Sequence, residues 1–113
     1  MTKIYHNPRC SKSRETLALL INQGISFETI EYLKTPLSAQ EFASLAKMLG
    51  TNALGLVRKK EVEFTALNLE SASDQSIFEA IVKAPNLLER PIVVHKEKAA
   101  IGRPPENILS LFL

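Results

Sequence analysis

Lys3-Ile4-Tyr5-His6-Asn7-Pro8-Arg9-Cys10-Ser11-Lys12-Ser13-Arg14 is the stretch whose reading decides the fold. Lys3 to His6 has the character of a short strand, and Asn7-Pro8 is a turn signal that ends it. From Ser11 to about Asn22 the residues Leu17, Ala18, Leu19, Leu20 and Ile21 make a wide helical face, with Gly24 suited to the helix end. Ile25 to Tyr32 is rich in β-branched and aromatic residues, which predicts a second strand. Strand, helix and strand in such quick succession imply a parallel pair joined by a right-handed crossover.

Beyond this βαβ unit the chain turns helical. Thr35-Pro36-Leu37-Ser38 stops the second strand, and Ser38-x-x-Glu41 is a capping box. Phe42, Leu45, Ala46 and Leu49 recur at helical spacing, and Gly50 closes that helix. A shorter helix is predicted from Asn52 to about Arg58. Another starts near Ser73-Asp74, carries Ile77, Phe78, Ile81 and Val82, and stops at Pro85.

The last quarter returns to sheet. Pro91-Ile92-Val93-Val94 is a compact apolar strand, and Lys98-Ala99-Ala100-Ile101 is its predicted neighbour across a tight turn. Pro104-Pro105-Glu106 makes a good first turn for a final helix with Ile108, Leu109 and Phe112 on its apolar face. The order is βαβ, helices, ββα. Gathered into one mixed sheet, that is an α/β fold of thioredoxin-like type, a single domain over 1–113 with a helical insert at about 36–86.

Bulk properties narrow the function. A chain of 113 residues is large enough for one core. Its formal net charge of +2 is too small to argue for nucleic acid as a partner. No apolar run approaches the roughly 20 residues of a membrane helix, so no membrane partner is expected. Met1 to Pro8 lacks the apolar stretch of a secretory signal, so the expected location is cytoplasmic. Two histidines and one cysteine without ligand spacing give no metal site. The single cysteine excludes an internal disulfide, and any resolving thiol must come from another molecule.

That cysteine, Cys10, falls between the first strand and the first helix. A helix start offers unpaired N–H groups and partial positive charge, which favour thiolate and cradle oxyanions. Arg9, Lys12 and Arg14 add cationic charge nearby in the sequence. In such settings cysteine pKa values fall to roughly 3.5–7.5. His6 stands at the strand end, where it reaches the same mouth and tunes the thiol. Ser13, in the first helical turn, is positioned to donate a hydrogen bond to the sulfur. A buried, inert cysteine is the commoner fate of a free thiol, but basic and polar flanks argue against it here.

Ile4 to Leu17 closely resembles the active-site segment of the glutaredoxin-coupled arsenate reductases. Two further segments match in order: Leu56-Val57-Arg58-Lys59, and Glu89-Arg90-Pro91-Ile92-Val93-Val94 followed by Ile101-Gly102-Arg103-Pro104. The similarity spans essentially the whole chain and includes the shorter members of the family. It implies that Cys10 is the nucleophile that forms a sulfur–arsenic adduct with arsenate. It also implies that Arg58, Arg90 and Arg103 bind the oxyanion, that His6 and Ser13 belong to the network around the thiol, and that Pro91 is cis.

Guanidinium forks suit a tetrahedral oxyanion because they bind it bidentately, which ammonium groups cannot do. The implied reaction is reduction of arsenate to arsenite, with no bound cofactor, glutathione as co-substrate and glutaredoxin as recycling partner. Two other functions share these features. The Spx group of regulators has this fold and binds RNA polymerase, but its redox-sensing members carry Cys-x-x-Cys where this chain has Ser13. A general monothiol, glutathione-linked oxidoreductase needs only Cys10, whereas three placed arginines favour an oxyanion.

Overall fold

The computed structural model describes residues 1–113. The chain divides into two compact units, Met1–Thr35 with Arg90–Leu113, and Pro36–Glu89.

The first unit is built on a four-stranded mixed sheet. Its elements are β1 (Thr2–Tyr5), α1 (Ser11–Asn22), β2 (Glu28–Ile30), β3 (Ile92–His95) and β4 (Lys98–Ile101), and the strand order is β2-β1-β3-β4. β1 pairs parallel with β2 (Tyr5 opposite Ile30) and antiparallel with β3 (Tyr5 opposite Ile92). β3 and β4 are antiparallel with Ile92 opposite Ile101. The tight turn between them passes through Lys96 and Glu97, both at positive φ, as the two central positions of a hairpin turn of this hand require.

Ile4, Leu20, Val93 and Ile108 form the fully buried centre of this unit. Each such side chain contributes roughly 1.5–3 kcal/mol relative to exposure. α1 ends as the sequence predicts. The N–H of Gly24 bonds the carbonyl of Ile21 and that of Ile25 bonds Leu20, with Gly24 at φ +70°.

Two sequence expectations need correction here. β2 covers only Glu28–Ile30 rather than residues 25–32. Ile25 and Phe27 pack on the buried centre instead of entering the ladder, and the carbonyl of Glu31 accepts from the N–H groups of both Lys34 and Thr35, which turns the chain away. The terminal segment Pro105–Phe112 is a 3₁₀ helix, not an α-helix. Its apolar residues fall at i, i+3 (Ile108 with Leu111, Leu109 with Phe112), and three residues per turn stacks such pairs on one face.

The second unit is helical: α2 (Ala39–Leu49), α3 (Val62–Ala66) and α4 (Asp74–Lys83), with short 3₁₀ turns between and after them. The capping box at Ser38 and Glu41 forms in full, with the Ser38 side chain accepting from the Glu41 N–H and the Glu41 carboxylate from the Ser38 N–H. The helix expected over Asn52 to Arg58 is a single 3₁₀ turn, Ala53–Leu56, capped by Asn52. α3 and the turn Leu69–Ser71 were not expected. Between Arg58 and Ser71 only Phe64 and Leu69 are buried, five residues apart, so the sequence shows no helical period there. No helix of the chain is long and apolar enough to cross a membrane.

Candidate active site

The site grows from the carboxyl end of β1. The His6 N–H still bonds the Ile30 carbonyl at 2.8 Å, and the chain then leaves the sheet at Asn7-Pro8. Asn7 folds the loop, because its side-chain oxygen accepts from the Arg9 N–H and its backbone carbonyl from the Cys10 N–H, both at 3.0 Å. Cys10 therefore arrives as the N-cap residue of α1, in extended backbone conformation. Its carbonyl accepts the first helical hydrogen bond, from Arg14. The thiol is buried at the helix start.

Strand register supplies two arginines. With Ile92 opposite Ile101, one step outward brings Pro91 opposite Gly102, where the Gly102 N–H bonds the Pro91 carbonyl at 2.9 Å. One step further brings Arg90 beside Arg103. The Arg103 Nε donates to the Arg90 carbonyl at 2.7 Å, and its Nη2 donates to the Cys10 sulfur at 3.3 Å. The Arg90 Nε is buried and has no hydrogen-bond partner. Both Arg90–Pro91 and Arg103–Pro104 are cis; the resemblance implied the first and not the second.

Burial pushes the Cys10 thiol up, but hydrogen bonding from the Ser13 backbone N–H and the charges of Arg90 and Arg103 outweigh it. A further hydrogen bond from Arg90 acts in the same direction, and the thiol is held below its ordinary value. The sequence neighbours contribute differently than expected. Lys12 pairs with Glu15 at 3.5 Å, and Arg14 donates to the Pro8 carbonyl at 3.0 Å. The cations that act on the sulfur come from the far end of the chain.

Ser13 acts on the thiol through its main chain, not its hydroxyl. The fully buried Ser13 Oγ accepts from the Asn7 N–H at 3.0 Å and lies 2.8 Å from His6 Nδ1. Burial lowers the His6 pKa, with Arg14 adding to it and Glu31 opposing, so the ring is neutral at neutral pH. Donor counting then has the Ser13 hydroxyl donate to His6 Nδ1, which accepts, since the alternative leaves a buried O–H unpaired.

Cys10, His6, Ser13, Arg90 and Arg103 thus meet in the first unit. Arg58 belongs to the second, where its Nη1 lies 2.6 Å from the Glu61 carboxylate. Glu61 also accepts from Asn86 at 2.9 Å. Two contributors, Asn7 and Gly102, read in the sequence only as a turn signal and as part of a matching segment, and not as parts of the site. The signals were present: Asn before Pro is a loop-forming pair, and a glycine just past a strand marks close backbone approach.

A buried cysteine beside two arginines, on a four-stranded mixed sheet with two cis-prolines, has known relatives. The ArsC family model matches residues 5–111. The chain belongs to the ArsC family. It is 52% identical to the uncharacterized protein YfgD of Escherichia coli K12, over 96% of this chain and 94% of that protein. It is 47% identical to a Haemophilus influenzae protein named arsenate reductase, covering 96% of each. Among solved structures, the arsenate reductase from Vibrio cholerae superposes with a TM-score of 0.94 at 49% identity, over 97% of this chain and 96% of that one. The thioredoxin-like fold of the family is the fold of this chain.

Proposed function

We propose that the protein reduces arsenate to arsenite, with Cys10 as nucleophile, glutathione as electron donor and glutaredoxin as recycling partner. The observation that carries this reading is the Cys10 sulfur held 3.3 Å from the Arg103 guanidinium. Relatives named arsenate reductase along nearly the full chain support the choice of oxyanion.

The Cys10 thiolate attacks arsenic, one oxygen of arsenate takes up protons and leaves as water, and a Cys10–S–As(V) adduct remains. The glutathione thiol then bonds arsenic in place of a second oxygen, which leaves as water. The glutaredoxin thiol attacks the glutathione sulfur, its sulfur–arsenic bond breaks with the electron pair left on arsenic, and one water then releases arsenite from Cys10. Overall, arsenate and two thiols give arsenite, one disulfide and one water. Arsenic gains the two electrons that the sulfurs lose on joining. The chain has one cysteine, so thiols from outside must close the cycle, and glutaredoxin takes up the mixed disulfide with glutathione.

Arg90 and Arg103 are the proposed oxyanion ligands. The buried, unpartnered Nε of Arg90 is a donor that a tetrahedral anion satisfies. Arg58 is included on the family resemblance alone, its guanidinium being engaged by Glu61. His6 and Ser13 tune and position the thiol. No bound cofactor or metal is called for.

The test is arsenate-dependent oxidation of NADPH coupled through glutathione, glutaredoxin and glutathione reductase. Turnover that disappears in Cys10→Ser is the expected result. No turnover, or turnover unchanged in Cys10→Ser, overturns the assignment.

A further inference from the structure

Arg58 is fixed at its backbone and at its side chain by different partners. Its N–H donates to the Leu87 carbonyl at 2.7 Å, and the Glu89 N–H donates to the Leu56 carbonyl at 2.6 Å. These bonds pin residues 56–58 antiparallel to residues 87–89, with Val57 opposite Leu88. The next residue after the pinned segment is Arg90. Backbone bonds leave the long Arg58 side chain its rotamer freedom unless something holds its head.

Glu61 holds it. The Glu61 N–H bonds the Arg58 carbonyl at 3.2 Å, closing a turn that brings the two side chains together. Glu61 Oε2 accepts from Arg58 Nη1 at 2.6 Å and Oε1 from Asn86 Nδ2 at 2.9 Å, so both carboxylate oxygens are engaged. Asn86 is steadied in turn by donating to Glu63 Oε1 at 3.0 Å. Only 25% and 24% of the Arg58 and Glu61 side chains is exposed. The ion pairs Lys12–Glu15 and Lys34–Glu31 are longer, at 3.5 Å, and more exposed, so solvent and salt weaken the Arg58–Glu61 pair least.

Helix capping does not account for this carboxylate. Glu61 is the N-cap residue of α3, yet its side chain makes no capping bond. Arg58 is engaged at Nη1, which leaves the Nε–Nη2 edge of the guanidinium, one of its bidentate edges, for a ligand. We propose that Glu61, held by Asn86, is a positioning residue for Arg58 and presents that edge to the oxyanion substrate. The inference rests on the reading of Arg58 as an oxyanion ligand. A carboxylate bonded at both oxygens acts as a fixed bracket, not as a competitor that changes places with the anion.

The test reads anion affinity as protection of Cys10 from alkylation by arsenate, with sulfate as a second, unreactive oxyanion, and needs no turnover. Glu61→Ala should weaken protection about threefold to tenfold, the range for a rotamer-rich side chain that must be ordered on binding. Asn86→Ala should act in the same direction by less, and Glu61→Gln, which keeps an acceptor for Nη1, should retain more protection than Glu61→Ala. In an Arg58→Ala background the Glu61→Ala change should have no further effect, an outcome that general loss of structure does not give. In turnover Glu61→Ala should raise KM for arsenate and leave kcat within about twofold.

Tighter protection in Glu61→Ala would make the carboxylate a competitor of the anion. Unchanged protection, or a loss that persists in the Arg58→Ala background, would make its role structural. Each of these overturns the proposal, as does a wild-type thiol that neither anion protects. Protection that follows the expected pattern without arsenate-dependent NADPH oxidation removes the reductase reading and keeps the positioning role. Arsenate-dependent turnover with an inert Glu61→Ala does the reverse.

Discussion

The Arg103 guanidinium bridges the Arg90 carbonyl, 2.7 Å from its Nε, and the Cys10 sulfur, 3.3 Å from its Nη2, although Cys10 and Arg103 lie 93 residues apart. A planar fork makes both bonds at once, and a lysine cannot. Arg103→Ala should raise the Cys10 pKa, because it removes a hydrogen bond to the sulfur and a positive charge beside it, and the shift should be modest because Arg103 is exposed to solvent. Arg103→Lys should fall between, keeping charge without the fork. Thiolate absorbance titrated against pH reads both; an unchanged midpoint in Arg103→Ala shows that the contact does not act on the thiol.

The lowered pKa of Cys10 fixes the direction of two pH profiles. Alkylation of Cys10 should reach half its maximal rate below the ordinary thiol value of 9.0. Between the folded pKa and 9.0 the unfolded chain binds the extra proton, so stability rises with pH across that window. The contribution is complete above 9.0 and is lost as pH falls through the folded value. Denaturant unfolding of Cys10→Ser should lack this component of the slope. An alkylation midpoint at or above 9.0 would count against the electrostatics described here.

His6 works in the same direction at lower pH. Its ring is buried and its pKa depressed from 6.5, chiefly by burial. The unfolded chain takes up the proton first as pH falls below 6.5, and stability declines through the folded pKa. Ser13→Ala removes the hydroxyl that ties His6 to Asn7 and should cost about 1–3 kcal/mol, the expense of unpaired buried groups. It keeps the Ser13 backbone N–H, so the Cys10 midpoint should move less than in Arg103→Ala. A larger shift in Ser13→Ala would show that the hydroxyl, rather than the main chain, governs the thiol.

What the sequence made legible follows from how local each signal is. The Ser38–Glu41 capping box, the α1 terminus and the β3–β4 hairpin rest on residues within a few positions of one another, and all three form as read. Arg90 and Arg103 were visible through the prolines after them and the strands they adjoin. The length of β2 was not, because Ile25 and Phe27 suit a strand as well as the core they pack on. Ser13 was placed correctly in the chain, but whether its hydroxyl or its backbone serves the sulfur depends on His6 and Asn7 claiming the hydroxyl. The same limit applies to charge. Arg9, Lys12 and Arg14 are adjacent in sequence, yet the cations acting on Cys10 are brought there by strand pairing.

Gly102 is where that pairing depends on the absence of a side chain. A Cβ placed there would lie 2.5 Å from the buried Thr16 Oγ1 and 2.8 Å from Pro91 Cγ. Neither neighbour has room to yield: Thr16 is fully buried with its hydroxyl bonded to the Lys12 carbonyl at 2.8 Å, and Pro91 is a buried ring at the start of β3. Gly102→Ala should therefore destabilise the protein by about 1–3 kcal/mol through overpacking. It should also displace Arg103, the next residue, and raise the Cys10 pKa although residue 102 does not touch the sulfur. Adding Thr16→Ala removes the nearest clash, so the double variant should recover part of both losses, a coupling that a double-mutant cycle reads directly. Additive losses would show that Gly102 and Thr16 act independently and that their contact does not set the position of Arg103.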